Sequence, residues 1–159
     1  MAKELSKSEQ QVHDDIANYG CHIVHVVDMA DEPSEQPNFS YSIGLFKNFN
    51  LPEIVIIGLK QELRHDLINN ICYDYEEGVS LKISTFNADI LEDFDCLVVE
   101  VDKKYFKDYF GWARWFYGND DFPVSQIIYP TLEGLFPWNK DFPIEIKQPI
   151  LNDEYQLGI

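Results

Sequence analysis

His22 and His25 are the first residues along the chain whose type and spacing invite chemistry, since two imidazoles three apart in Cys-His-Ile-Val-His-Val-Val suggest a shared metal ion. The run is short and β-branched, which predicts a strand. A spacing of three then puts the two rings on opposite faces, so one ion cannot hold both. Cys21 and His25 share a face, but about 13 Å of strand separates them, too far for a nucleophile and its base. His13 and His65 read as surface or boundary residues. The carboxylate pairs Asp14–Asp15, Glu76–Glu77 and Asp120–Asp121 are sequence neighbours, which diverge on a helix or strand instead of converging on a reacting atom. No twelve-residue calcium loop, glycine-rich phosphate cradle or Gly-x-Ser-x-Gly elbow is present. The residues therefore point to no catalytic set, no metal and no cofactor, and they favour a protein that is not an enzyme.

Two features remain as candidates for binding. The first is a pair of Gly-Leu steps, Tyr41-Ser-Ile-Gly44-Leu and Pro52-Glu53-Ile-Val-Ile-Ile-Gly58-Leu, where glycine at a strand end permits either a bulge or the close approach of a ligand. Glu53 opens an apolar strand and is the acid expected to be buried. It then requires a partner such as Tyr41 or a backbone amide. The second is the aromatic set Trp112, Trp115, Tyr117, Tyr129, Phe136 and Trp138, which serves either core packing or contact with a partner. With Gln126, the candidate ligand- or partner-binding residues are Tyr41, Gly44, Glu53, Gly58, Trp112, Trp115, Gln126 and Trp138.

The elements that must position these residues follow from periodicity. Ser8 and Gln11 fit a capping box for a helix over about 9–19, with Val12, Ile16 and Tyr19 on one face and Gly20 closing it. A strand from Cys21 leads into a polar loop, Asp28 to Asn38, with four acids and no base. Phe39, Tyr41 and Ile43 alternate as a strand, and the apolar run 52–59 reads as its hairpin partner. Leu63, Leu67, Ile68, Ile71, Cys72 and Tyr75 mark a helix over about 61–77. A weak strand at 81–86, an acidic connector from Asp89 to Asp95 and a strong strand at 96–101 follow. A third helix, about 103–117, carries the stripe Phe106, Tyr109, Phe110, Ala113, Phe116 and Tyr117. A last strand, Val124 to Tyr129, precedes a tail with four prolines and Phe136, Trp138 and Phe142, expected to wrap the molecule. This order predicts an α+β fold with a mainly antiparallel sheet, a mixed one being the alternative, packed by about three helices and an extended aromatic, proline-rich C-terminal tail.

Length and composition bound the rest. The chain has 159 residues and 45% hydrophobic content, enough for a single globular domain spanning 1–159. Twelve Lys and Arg against 28 Asp and Glu give a formal charge of −16, which repels phosphate backbones and anionic lipid and so argues against nucleic-acid and membrane partners. The N-terminal residues carry no apolar run of signal-peptide length, so the expected location is cytoplasmic. Three widely spaced cysteines in apolar segments read there as buried, reduced thiols.

Five ordered blocks carry a resemblance: Phe-Ser-Tyr-Ser-Ile-Gly-Leu at 39–45, Pro-Glu-Ile-Val-Ile-Ile-Gly-Leu at 52–59, Gln-Ile-Ile-Tyr-Pro at 126–130, Gly-Leu-Phe-Pro-Trp at 134–138 and Gln-Pro-Ile-Leu at 148–151. Together they resemble the bacterial family called domain of unknown function 4262. The resemblance implies a bacterial cytoplasmic protein and singles out Tyr41, Gly44, Pro52, Glu53, Gly58, Gln126, Pro130, Pro137 and Trp138. It transfers no activity, substrate or cofactor. Where the family pattern has an aromatic such as Trp before Pro130 and an Asp after it, this chain has Tyr129 and Thr131, so no role for that acid carries over.

Two functions fit these observations. The first is an acidic binding protein, an immunity or inhibitor protein that neutralises a basic protein partner, motivated by the charge and the surplus aromatics. The alternative is a pocket protein or enzyme in which the Gly-Leu strand ends, Glu53, Gln126 and the Trp138 segment converge on a small-molecule ligand.

Overall fold

The computed structural model describes residues 4–27 and 37–156, so most of the acidic loop read between Asp28 and Asn38 lies outside the described residues. Helix α1, Lys7–Tyr19, starts two residues earlier than its periodicity suggests. The capping box is Ser6 with Glu9 and not Ser8 with Gln11: the Ser6 hydroxyl accepts from the Glu9 amide and the Ser6 amide donates to the Glu9 carboxylate. An acid in this first turn also meets the positive end of the helix dipole, which a glutamine does not exploit.

Six strands form one sheet in the order β1-β2-β3-β6-β5-β4, where β1 is His22–Val26, β2 Phe39–Ile43, β3 Glu53–Ile57, β4 Thr85–Leu91, β5 Phe94–Glu100 and β6 Val124–Ile128. The sheet is mixed, correcting the expectation of a mainly antiparallel one, because its central junction β3–β6 is parallel. Forming that junction brings Glu53 opposite Val124 across more than 60 residues of intervening chain. β2, β3 and β6 are buried along their whole length, as strands covered on both faces must be.

One face packs Tyr41, Ile43, Val55, Ile57 and Val124 against α1 and the aromatic segment 105–117. The other packs Ile54, Ile56, Val98 and Ile127 under α3, Gln61–Glu76. The tail covers Leu97, Val99 and Ile128 with Ile150, Phe136 and Trp138.

Six α-helices stand among the described residues where about three are expected. The predicted 103–117 helix is broken into a 3-10 turn at Lys103–Tyr105, α4 at Phe106–Tyr109 and α5 at Gly111–Tyr117. The break falls at Phe110, whose ring is buried beside Tyr41. The Trp112 amide, left without a helical acceptor there, donates to the Tyr41 hydroxyl at 3.1 Å. Two short helices, α2 at Leu45–Phe49 and α6 at Asp153–Gln156, complete the count. The supposed connector 89–95 belongs mostly to strands: β4 runs through Leu91, turns at Glu92 and Asp93, and re-enters as β5. β4 is an edge strand exposed on both faces, so it lacks the alternation that announces a strand. No helix among the described residues is long and apolar enough to cross a membrane.

Gly58 ends β3 at φ +85°, and a Cβ there would stand 2.2 Å from the Tyr129 hydroxyl, which donates to the Ile57 carbonyl. Gly134, also at positive φ, faces open space. Gly58→Ala is therefore expected to lower stability by roughly 2–4 kcal/mol and Gly134→Ala by only about 1 kcal/mol, measured by urea unfolding.

Candidate functional site

Glu53 is buried to 1% exposure at the start of β3, and its two carboxylate oxygens accept from five donors. Oε1 takes the Ser42 hydroxyl at 2.8 Å and the Leu45 amide at 3.1 Å. Oε2 takes the Gly44 amide at 2.9 Å, the Phe46 amide at 3.3 Å and the Tyr117 hydroxyl. Gly44, at φ +116°, turns the chain from β2 into α2 so that three successive amides converge on the acid. A Cβ at Gly44 would meet the Ile16 side chain at 2.9 Å. The tyrosine that reaches Glu53 is Tyr117 from α5; Tyr41 serves Trp112 instead. Desolvation pushes the Glu53 carboxyl above its ordinary value, with Tyr117 and Ser42 holding it down, and burial beside that acid pushes the Tyr117 phenol up. All the acceptor capacity of Glu53 is used by the chain itself.

The other sequence candidates do not gather around it. Gln126 donates to the Pro149 carbonyl at 2.7 Å and accepts from the Leu151 amide at 2.8 Å, pinning the tail to β6. Gln148 adds a second pin, accepting from the Tyr129 amide and donating to its carbonyl. Trp138 stacks on Phe136 with ring centroids 4.9 Å apart, over the sheet end of the tail. Gly58 lies at Tyr129, away from Gly44. Trp112 and Trp115 are half-exposed on α5, edge to face at 5.6 Å, with His13 packed on Trp115.

An open cleft of about 430 Å³ lies instead between α3 and β4. Leu67, Ile71, Tyr75, Phe86 and Ile90 give it an apolar lining, with Asp74 and Asp89 on opposite sides. Asp74 and Asp89 are the acids that line it; the others on these elements lie outside the lining. On α3, Glu62, Asp66, Asp74 and Glu76 are exposed, whereas the helix's one arginine, Arg64, is buried. Glu76 and Glu77 crowd the helix C-terminus, where the dipole is already negative, and the last turn holds no base. Glu92, Asp93 and Asp95 are exposed on the β4–β5 hairpin, Asp93 and Asp95 at a separate opening beside Phe136, and Lys82 is the one basic residue lining the cleft.

The sequence pattern of the family described as Domain of unknown function (DUF4262) matches residues 15–143. The chain belongs to this family. No curated protein and no solved structure matches it.

In this DUF4262 domain the five recognisable sequence blocks form the frame: β2 with the Gly44 turn, β3 with Glu53, β6 with Gln126, and two tail segments on the β5–β6 face. The cleft lies between blocks, in 67–90, where the sequence reading named no site residue. Its signals were available as the apolar face of α3 and the one-sided charge of 89–95, but nothing local says that α3 and β4 face each other. The Ser40–Arg64 bond, between residues 24 apart, and the role of Tyr117 as a donor to Glu53, 64 residues away, were missed for the same reason.

Because burial raises the Glu53 carboxyl above the ordinary 4.5, the folded chain holds that proton more tightly than the unfolded chain. Its contribution to stability is full below the unfolded value and is lost as pH rises through the folded value. The stability of the wild type relative to Glu53→Gln is therefore expected to fall as pH rises above the ordinary carboxylate range, followed by urea unfolding. A difference independent of pH contradicts this. Glu53→Ala, which strands three amides and two hydroxyls, should lose roughly 3–5 kcal/mol.

Proposed function

We propose that this domain is an acidic binding protein that takes a basic, amphipathic segment of a protein partner into the α3–β4 cleft, as an inhibitor or immunity protein would. The observation that carries the reading is the cleft itself: an apolar lining with an acid on each wall, Asp74 on α3 and Asp89 on β4, and one base, Lys82. Apolar side chains of a partner fill the floor while its Lys or Arg residues meet Asp74 and Asp89. The formal charge of −16 adds a long-range attraction that speeds encounter with a basic chain and weakens with salt. Edge strand β4 offers unpaired backbone beside the cleft, which suits an extended segment. Trp112 and Trp115, on the opposite side of the sheet, are a second contact surface outside this reading. The size of the cleft supports one other occupant, a small apolar molecule, because about 430 Å³ lies within the range of ligand pockets.

Fluorescence anisotropy of a labelled peptide with alternating Lys and Leu, against the same peptide with Glu for Lys, separates the two. The Lys peptide should bind and lose at least about tenfold in affinity between about 20 mM and about 200 mM NaCl. Asp74→Lys with Asp89→Lys should remove binding while Trp112→Ala leaves it intact. Binding indifferent to the charge reversal overturns the basic-partner reading, and salt-independent uptake of an apolar dye favours the small ligand.

A further inference from the structure

His25 and His65, 40 residues apart, meet at the β1 edge of the sheet. The His25 Nε2 and His65 Nδ1 atoms share a hydrogen bond at 3.3 Å, whose proton an ion would replace, with one ring on β1 and the other on the exposed side of α3 near its start. Behind them lies a buried support. His25 Nδ1 is 2.6 Å from the Ser40 hydroxyl, and Ser40, its direct cross-strand neighbour, is fully buried. Arg64 Nε donates to that same hydroxyl oxygen at 2.7 Å, and Arg64 Nη1 donates to the Gly58 and Leu59 carbonyls at 3.2 and 2.7 Å. In front of the rings is a small open cleft lined by His25, Gln61, Glu62, His65 and Asp66.

We propose that His25 and His65 are the imidazole pair of a binding site for a divalent transition cation of the zinc class. Two nitrogens bonded to one tetrahedral ion at about 2.0–2.1 Å lie roughly 3.3 Å apart, which is the separation the chain already holds without an ion. The support behind His25 is of the kind that fixes a ligating imidazole, a buried oxygen bonded to the ring nitrogen that does not face the metal. The Ser40 oxygen, already accepting from Arg64, accepts also from His25 Nδ1–H in the loaded state, leaving the Nε2 lone pair free for the ion. Among the described residues no group of three or more ligating side chains converges. The two imidazoles are therefore the fixed half of the site. Water supplies the remainder, and Glu62 and Asp66 line the same opening. The acidic surface of the chain concentrates cations at this opening. The site is independent of the α3–β4 cleft and of what that cleft binds.

Isothermal titration of untagged full-length protein with Zn²⁺ tests this, with Co²⁺ absorption reporting coordination by imidazole. One equivalent should bind with micromolar affinity, and His65→Ala, a change at an exposed position, should weaken it at least about tenfold while leaving thermal unfolding unchanged. His13→Ala should have no effect. Zinc uptake that is absent, or equal in the wild type and His65→Ala, overturns the proposal, because binding then rests on surface carboxylates or on nothing.

Discussion

The buried carboxyl group of Glu53, with its hydrogen-bond partners, is the interaction on which the rest of the fold depends. It sits where the central parallel junction begins, and its five donors come from β2, from the turn into α2, from α2 itself and from α5. A buried acid is expensive to desolvate, and only a full set of donors makes it tolerable. That condition fixes several choices together: glycine at 44 so that the amides converge, serine at 42, and a tyrosine at the C-terminal end of α5. α2 has no side-chain cap of its own; the Glu53 carboxylate takes the place of one at its N-terminus. Side-chain pins from Gln126 and Gln148 do for the tail what Glu53 does for this corner.

With the frame held from within, the outer surfaces are left for contact. α3 is turned so that its lone arginine supports the sheet and its four acids face water. β4 brings Asp89 opposite Asp74, and the cleft between them has a floor of apolar side chains. Acids on both walls of an apolar floor, beside a helix C-terminus that holds no cation of its own, are a poor arrangement for stability. It is a good arrangement for holding a cationic segment.

Much of the frame was legible in the sequence because it is written in local patterns. The apolar stripe of α3, the alternation of Phe39, Tyr41 and Ile43, and the apolar run that buries Glu53 between Pro52 and Ile54 each announce their element. The parallel β3–β6 junction was not legible, since it joins segments separated by a helix, a hairpin and two more helices. The break at Phe110 was hidden because its aromatic stripe satisfies helical spacing on both sides of the kink. β4 was displaced because an edge strand wet on both faces carries no period of two. His65 read as an isolated surface residue, and only the packing of α3 against β1 and β2 reveals His25 beside it. The candidate binding residues divided similarly: Glu53 and Gly44 meet, while Gly58, Gln126 and Trp138 serve separate parts of the frame.

The central claim is one of place, that the α3–β4 cleft is the surface that receives a basic partner. Amide chemical-shift mapping of the full-length, isotope-labelled chain during titration with the alternating Lys-Leu peptide at low salt tests it directly. Shifts confined to 67–90 and to the hairpin acids, collapsing when salt is raised, are the predicted result. Shifts centred on Trp112 and Trp115, or none at saturating peptide, would contradict it.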